Sequence, residues 1–293
     1  KKSCSLEYKN IIGKWNKRKY KLVKAIGSGN YGMVYRAIDH RGNIRAIKIS
    51  RDLMSITNEY NGMRKLQNYS FVPAVYDFDD IKINNKTYHF IVMDYIDGQN
   101  LRKIRENMNL SLNNILKIGK VLAIIMEKIN GLGYKYTDIK MDNIVLDRKG
   151  KVYIVDFGSL VEKSMITKEY TPAYNINSWN LEHKYPPTTA SLFSITMIMV
   201  SLINGKEYNP IKWDLDNIIE DIKSFSIPNR VKSFLIDGLK GKFSDYQQYF
   251  NSLSSLIAEK EDRNSMSKID YLLVISVVSF VFILILGIKS ILC

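Results

Sequence analysis

Asp138, Lys140 and Asn143 stand close together in Tyr136-Thr137-Asp138-Ile139-Lys140-Met141-Asp142-Asn143, and Asp156-Phe157-Gly158 follows a short way on. A loop carrying Asp, Lys and Asn, followed by a hairpin ending in Asp, can gather four polar groups around one phosphate. In that arrangement Asp138 orients and deprotonates a hydroxyl, and Lys140 neutralises transferring charge. Asn143 and Asp156 offer the hard oxygen ligands that Mg²⁺ prefers. Upstream lies Gly27-Ser28-Gly29-Asn30-Tyr31-Gly32-Met33-Val34, whose glycines let backbone N–H groups approach phosphates closely. Dinucleotide-binding turns share this spacing, but there the motif opens a helix. Here Met33-Val34-Tyr35-Arg36-Ala37 reads on as a strand, so the glycines form a hairpin lid. Ala46-Ile47-Lys48 comes next. A lysine that follows such a hairpin can reach into a cleft as a point charge for phosphate. Glu59 is its expected ion-pair partner; Asp52 is the rival, nearer the strand end.

These residues need rigid elements beneath them. Residues 20–50 alternate apolar and polar with Gly breaks, which predicts short antiparallel strands. Residues 53–67 read as a helix. The runs 71–78 and 88–95 read as strands separated by the turn signal Asn84-Asn85. Apolar residues recur at helical spacing over 111–132, with Ser111 as a plausible N-cap. Strands are expected near 144–147 and 152–155, and helices over 189–204, 214–223, 229–239 and 245–258. A strand-rich part followed by a helix-rich part suggests two lobes with a cleft between them.

Taken together, the motifs resemble those of the eukaryotic-type Ser/Thr protein kinase family over roughly residues 20–258. The resemblance implies an α+β bilobal fold: a small antiparallel N-lobe (20–96) and a mainly helical C-lobe (97–258). It also implies ATP and Mg²⁺ as cofactors and protein substrates. By resemblance the nucleotide-binding residues are Ile26, Gly27, Ser28, Gly29, Gly32, Val34, Ala46, Lys48 and Glu59, with Met93 as gatekeeper. Asp94 and Ile96 would supply hinge backbone contacts to adenine, and Val145 would floor the pocket. Departures are informative. The family's His-Arg before the catalytic Asp is here Tyr136-Thr137, and its Ala-Pro-Glu is missing after Thr171-Pro172-Ala173-Tyr174. The family's bracing Asp is replaced by Ser191, so Ser191 and Thr137 read as linked losses. Without the Arg, activity is expected not to depend on phosphorylation at Ser164, Thr167, Tyr170 or Thr171. A kinase-shaped scaffold with little catalysis, and a small-molecule phosphotransferase, are the competing classes.

Charge and hydropathy mark the two ends. The 293-residue chain carries a net charge of +14, and residues 1–51 hold fourteen Lys/Arg against two acids. This basic N-terminal segment, 1–19 and its neighbours, suits DNA or an anionic membrane surface. Residues 271–288 contain no charge and are long enough to cross a bilayer, so a single C-terminal transmembrane helix is expected after a juxtamembrane linker, 259–270. Lys260, Arg263 and Lys268 precede it and Lys289 follows it, which puts the kinase part in the cytoplasm. No apolar stretch follows Lys1 and Lys2, so no signal peptide is expected. Cys4 and Cys293 exclude a disulfide framework, and three His without a Cys cluster argue against structural zinc. A basic, anchored kinase of this size resembles the DNA-activated, membrane-anchored kinases of spore-forming bacteria.

Overall fold

Alternation between Lys19 and Ser50 builds three antiparallel strands: β2 (Lys19–Gly29), β3 (Gly32–Asp39) and β4 (Ile44–Ser50). Every second side chain points to one face, and Leu22, Tyr35, Ala37, Ile47 and Ile49 are buried together there. The description rests on a computed structural model and covers residues 9–29, 32–165, 171–186 and 188–258. The expected linker (259–270) and transmembrane helix (271–288) lie outside the described residues. Among the described residues no helix is long and apolar enough to cross a membrane.

Asp52 caps α1 (Leu53–Lys65), its carboxylate accepting the Ser55 N–H. Strands β5 (Val75–Ile83) and β6 (Lys86–Asp94) are joined by Asn84 and Asn85, both at positive φ, as a tight hairpin turn demands. With β1 (Asn10–Ile12) at one edge, the sheet order is β1-β2-β3-β4-β6-β5, with antiparallel pairing throughout.

Two expectations about this lobe need correction. Residues 71–74 are not strand: Pro73 cannot donate to a ladder, and Phe71 and Val72 are instead buried in the core. The sheet also starts before residue 20. β1 (Asn10–Ile12) pairs with β2, placing Ile11 opposite Tyr20, so part of the basic segment belongs to the lobe.

What holds that segment is a set of acids on β5. Asp77 and Asp79 are buried to 5% and 4% exposure, where an unpartnered carboxylate would be costly. Asp79 accepts the backbone N–H of Trp15 at 3.0 Å and of Asn16 at 2.7 Å. Asp77 accepts the Asn16 amide at 2.6 Å and the Tyr20 hydroxyl at 2.7 Å. Gly13 lies so close to Asp79 that a Cβ there would fall 2.2 Å from its Oδ2.

The second lobe begins with two elements that the sequence did not announce, β7 (Gly98–Asn100) and α2 (Leu101–Asn107). Helix α3 (Leu112–Gly131) starts at Ser111, whose hydroxyl accepts the Asn114 N–H at 3.3 Å. It buries Ile115, Ile118, Leu122, Ile125 and Ile129, each contributing roughly 1.5–3 kcal/mol of burial. Helix α4 (Ala190–Asn204) is buried along most of its length; α6 (Asn229–Leu239) packs against it, and α5 (Leu215–Ser224) packs against α6. Residues 246–258 are helical as well. Two short ladders face the smaller lobe. β8 (Tyr134–Tyr136) pairs with β11 (Leu160–Glu162), and β9 (Ile144–Asp147) with β10 (Val152–Ile154). One apolar cluster includes Ile56 and Met63 of α1 and Phe157, and continues through α3 and α4. The two lobes therefore share a core beneath the cleft.

Candidate active site

Lys48 sits in the middle of β4, paired with Val34 of β3 and Ile91 of β6. Its ammonium donates to Glu59 Oε2 on α1 and reaches Asp156 Oδ2 at 3.5 Å. Its side chain is 12% exposed and that of Glu59 2%. Burial works against the Lys48 charge, but the Glu59 and Asp156 carboxylates more than offset it and hold its pKa above the ordinary lysine value. Burial, then the charge of Asp156, pushes Glu59 up to about 8 against the pull of Lys48. One ammonium cannot neutralise two carboxylates in a dry setting, so the trio retains a proton its members would lose in water.

Helix α1 can approach this close because Gly62, one turn beyond Glu59, has no side chain. A Cβ there would fall 2.6 Å from the Phe157 carbonyl oxygen. Gly62→Ala is expected to cost ~1–3 kcal/mol by overpacking and to draw Glu59 away from Lys48. A lowered melting temperature together with lowered turnover is the expected result; an unchanged melting temperature would show that the contact relaxes freely.

The catalytic loop lies between β8 and β9. Asp138 is gripped from both sides. Lys140 Nζ donates to its Oδ2 at 2.5 Å, while Thr171 donates to Oδ1 from its hydroxyl at 2.7 Å and its N–H at 3.1 Å. The Asn143 amide nitrogen donates to the Asp138 carbonyl at 3.0 Å and lies 3.2 Å from the Tyr136 hydroxyl. That hydroxyl donates to the Asp156 carbonyl at 2.7 Å. Tyr136 is wholly enclosed, and burial, followed by the charges of Asp156 and Asp138, pushes its pKa well up, so it stays a donor. Tyr136 thus ties together the two residues proposed to hold the metal.

Sequence reasoning missed several supports. Ser159 Oγ accepts the Asp138 N–H at 3.2 Å. The Thr137 hydroxyl donates to the Ser159 carbonyl at 3.1 Å. Ser191, expected as a lost brace of this loop, pairs instead with the Tyr246 hydroxyl at 2.5 Å. A new brace comes from α2: Arg102 Nε reaches both oxygens of Asp142, at 2.8 and 2.9 Å, and its Nη1 donates to Glu207 at 2.6 Å. Thr171 appeared in the sequence only as a phosphorylation candidate. Its hydroxyl on Asp138 means that a Thr171→Ala defect would report this bond rather than loss of a phosphate.

A cleft of about 1180 Å³ opens between the lobes. It is lined by Ile26, Gly27, Ser28, Gly29, Gly32, Val34, Ala46, Lys48, Met93, Asp94, Ile96 and Val145, together with Asp138, Lys140, Asn143 and Asp156. Glu59 stands behind Lys48. The tip of the glycine hairpin, Asn30 and Tyr31, lies outside the described residues. The Asp94 N–H is taken by the Ala74 carbonyl at 2.9 Å, so only its carbonyl remains for a ligand. The residues fit Mg²⁺. With its nitrogen fixed, the Asn143 amide has an oxygen to offer, and Asp156 is 39% exposed toward the cleft. Mg²⁺ takes few protein oxygens and completes its shell with waters and substrate phosphates. When bound, it supplies neutralisation of developing phosphate charge.

The comparisons with known proteins agree with this geometry. The protein kinase domain family matches residues 20–267. Serine/threonine-protein kinase YabT of Bacillus subtilis (strain 168) is 29% identical over 252 residues, which cover 84% of this chain and 73% of that protein. Probable serine/threonine-protein kinase pknA2 of Bifidobacterium longum (strain NCC 2705) is 25% identical, over 70% of this chain and 30% of that protein. A probable serine/threonine-protein kinase of Dictyostelium discoideum is 24% identical, over 83% of this chain and 50% of that protein. With the match spanning both lobes and the cleft between them, the chain belongs to the protein kinase domain family and is an ATP-dependent serine/threonine kinase.

Proposed function

We propose that this chain is a membrane-tethered kinase that moves the γ-phosphoryl group of ATP to Ser or Thr hydroxyls of cytoplasmic proteins, with DNA or another polyanion as a stimulus. The observation that carries the catalytic part is the convergence of Lys48, Asp138, Asn143 and Asp156 on one cleft. Lys48 is placed to meet phosphate oxygens. Asp138 is placed to orient the acceptor hydroxyl and take its proton, with Lys140 beside it to offset the charge that develops.

Tethering rests on the uncharged run 271–288, which has the length of a bilayer-crossing helix. The polyanion stimulus is supported by the way the N-terminal segment is fastened. The acids of β5 hold it through the backbone N–H groups of Trp15 and Asn16 and the side chains of Asn16 and Tyr20, and Lys9, Lys14, Lys17, Lys19, Lys21 and Lys24 stay exposed. Their charge is free to meet phosphates. The full chain, reconstituted in neutral lipid vesicles with ATP and Mg²⁺, is expected to phosphorylate protein several-fold faster with duplex DNA at low salt. The stimulation should fade as salt rises. Turnover that stays flat across DNA concentrations at low salt removes the stimulus from the proposal and leaves the kinase.

A further inference from the structure

The cleft walls carry two lysines that none of the catalytic roles requires. Five carboxylates line the cleft: Asp52, Asp94, Asp138, Asp142 and Asp156. Each already holds a partner. Asp52 caps α1 through the Ser55 N–H. Asp94 accepts the Tyr76 hydroxyl at 2.7 Å and lies 3.4 Å from Arg45. Asp138 and Asp156 are engaged by Lys140 and Lys48. Asp142, one residue before Asn143, is clasped by Arg102, which supplies its cation. Glu207, the next carboxylate along this wall, is held by Arg102 at 2.6 Å and by Arg105 at 3.9 Å.

The cations are not balanced in the same way. Of the four lysines that line the cleft, Lys48 and Lys140 serve the catalytic carboxylates. The other two, Lys24 on β2 and Lys103 on α2, are exposed, and no carboxylate pairs with either among the described residues. They belong to opposite lobes and both reach the cleft. A segment lying across its mouth toward Asp138 therefore meets unpaired positive charge on both lobes, while Asp94, Asp138, Asp142 and Asp156 each face a cation and Asp52 alone has only a backbone N–H for partner. The whole-chain charge of +14 acts in the same direction at longer range.

We infer that the acceptor side of the cleft selects acidic protein segments, those with Asp or Glu close to the Ser or Thr that is phosphorylated, and that Lys103 is a specificity-determining residue. The inference rests on the kinase reading of the site and deepens it. Lys103 acts on substrate choice, through charge pairing in the encounter and bound complexes. It leaves the transfer step to Lys48, Asp138, Asn143 and Asp156.

The test uses the full chain with ATP, Mg²⁺ and two peptides that share one acceptor serine, one flanked by Glu and the other by Lys at the same positions. The acidic peptide is expected to have the higher kcat/KM, by roughly three- to tenfold at low salt, with most of the difference in KM. The advantage should shrink by 0.5 M salt, where screening is short-ranged. Lys103→Glu is expected to lower the advantage or reverse it, with autophosphorylation unchanged. Lys103 is exposed, so the variant should fold, and an unaltered melting temperature checks this. A preference for the basic peptide, or a ratio that neither salt nor Lys103→Glu moves, overturns the inference. So does use of neither peptide while autophosphorylation persists. Absence of all transfer, autophosphorylation included, overturns the kinase reading itself and this inference with it.

Discussion

Asp138→Asn is expected to abolish nearly all phosphoryl transfer while sparing nucleotide binding. The aspartate accepts on both oxygens: Lys140 occupies Oδ2, and the hydroxyl and N–H of Thr171 converge on Oδ1. An asparagine keeps one acceptor and must turn an NH₂ toward one of these donors, so one side of the grip becomes repulsive. The amide also cannot take up a proton. Both losses fall on the acceptor hydroxyl, where a positioned base is worth about 10²–10⁴ in rate. The groups facing the nucleotide are elsewhere, around the glycine hairpin and Lys48 on β2, β3 and β4 and at Met93, Asp94, Ile96 and Val145. Single-turnover transfer should therefore fall by two to four orders of magnitude, on the order given for general acid–base catalysis, with nucleotide affinity within about threefold of wild type, less than one typical hydrogen bond. A transfer rate within tenfold of wild type would remove Asp138 from the proton-accepting role.

Lys48→Ala should act on both activity and stability. The variant loses the cation placed for phosphate, and a loss of about 10² or more in turnover is expected, the scale seen when one preorganised charge-stabilising donor is removed. It also leaves Glu59 buried beside Asp156 with no cation. In wild type Glu59 already holds its proton up to about 8, against an ordinary value of 4.5. Without Lys48 its pKa rises further. The sign follows from proton counting. The unfolded chain releases this proton above 4.5 and the folded chain keeps it, so stability falls as pH rises through that window. In wild type the fall is complete near pH 8; in Lys48→Ala it continues above that. Melting temperatures from pH 5 to 9 test this. The double variant Lys48→Ala/Glu59→Gln should lose the slope that Glu59 causes. If the single and double variants show the same slope, Glu59 is not its source.

The parts of the site that could be read in the sequence share one property: their residues are neighbours in the chain. Asp138, Lys140 and Asn143 fall within one loop, and Gly27, Gly29 and Gly32 within one hairpin, so type and spacing alone constrain what they can do. The Lys48–Glu59 pair was accessible because a strand followed by a helix leaves few partners within reach. Arg102 was invisible for the opposite reason. Its bond to Asp142 crosses 40 residues and its bond to Glu207 crosses 105, and no local pattern distinguishes it from a solvated arginine. The expected strand 71–78 takes in Asp77 but stops before Asp79, whereas β5 continues through both acids to Ile83. They are tolerated because amides some 60 residues earlier in the chain reach them. Residues 71–74 were misread because their apolar character is real, yet Pro73 directs it into the core rather than into a ladder.

That fastening of the first strand also sets an order of assembly. The bonds from Trp15, Asn16 and Tyr20 to β5 span 57 to 65 residues. At a synthesis rate of about 5–20 residues per second, the opening segment emerges several seconds before its anchors exist. β1, first of its sheet in chain order, thus waits for β5, and until β5 is in place the outer edge of β2 stays open to mispairing with other strands.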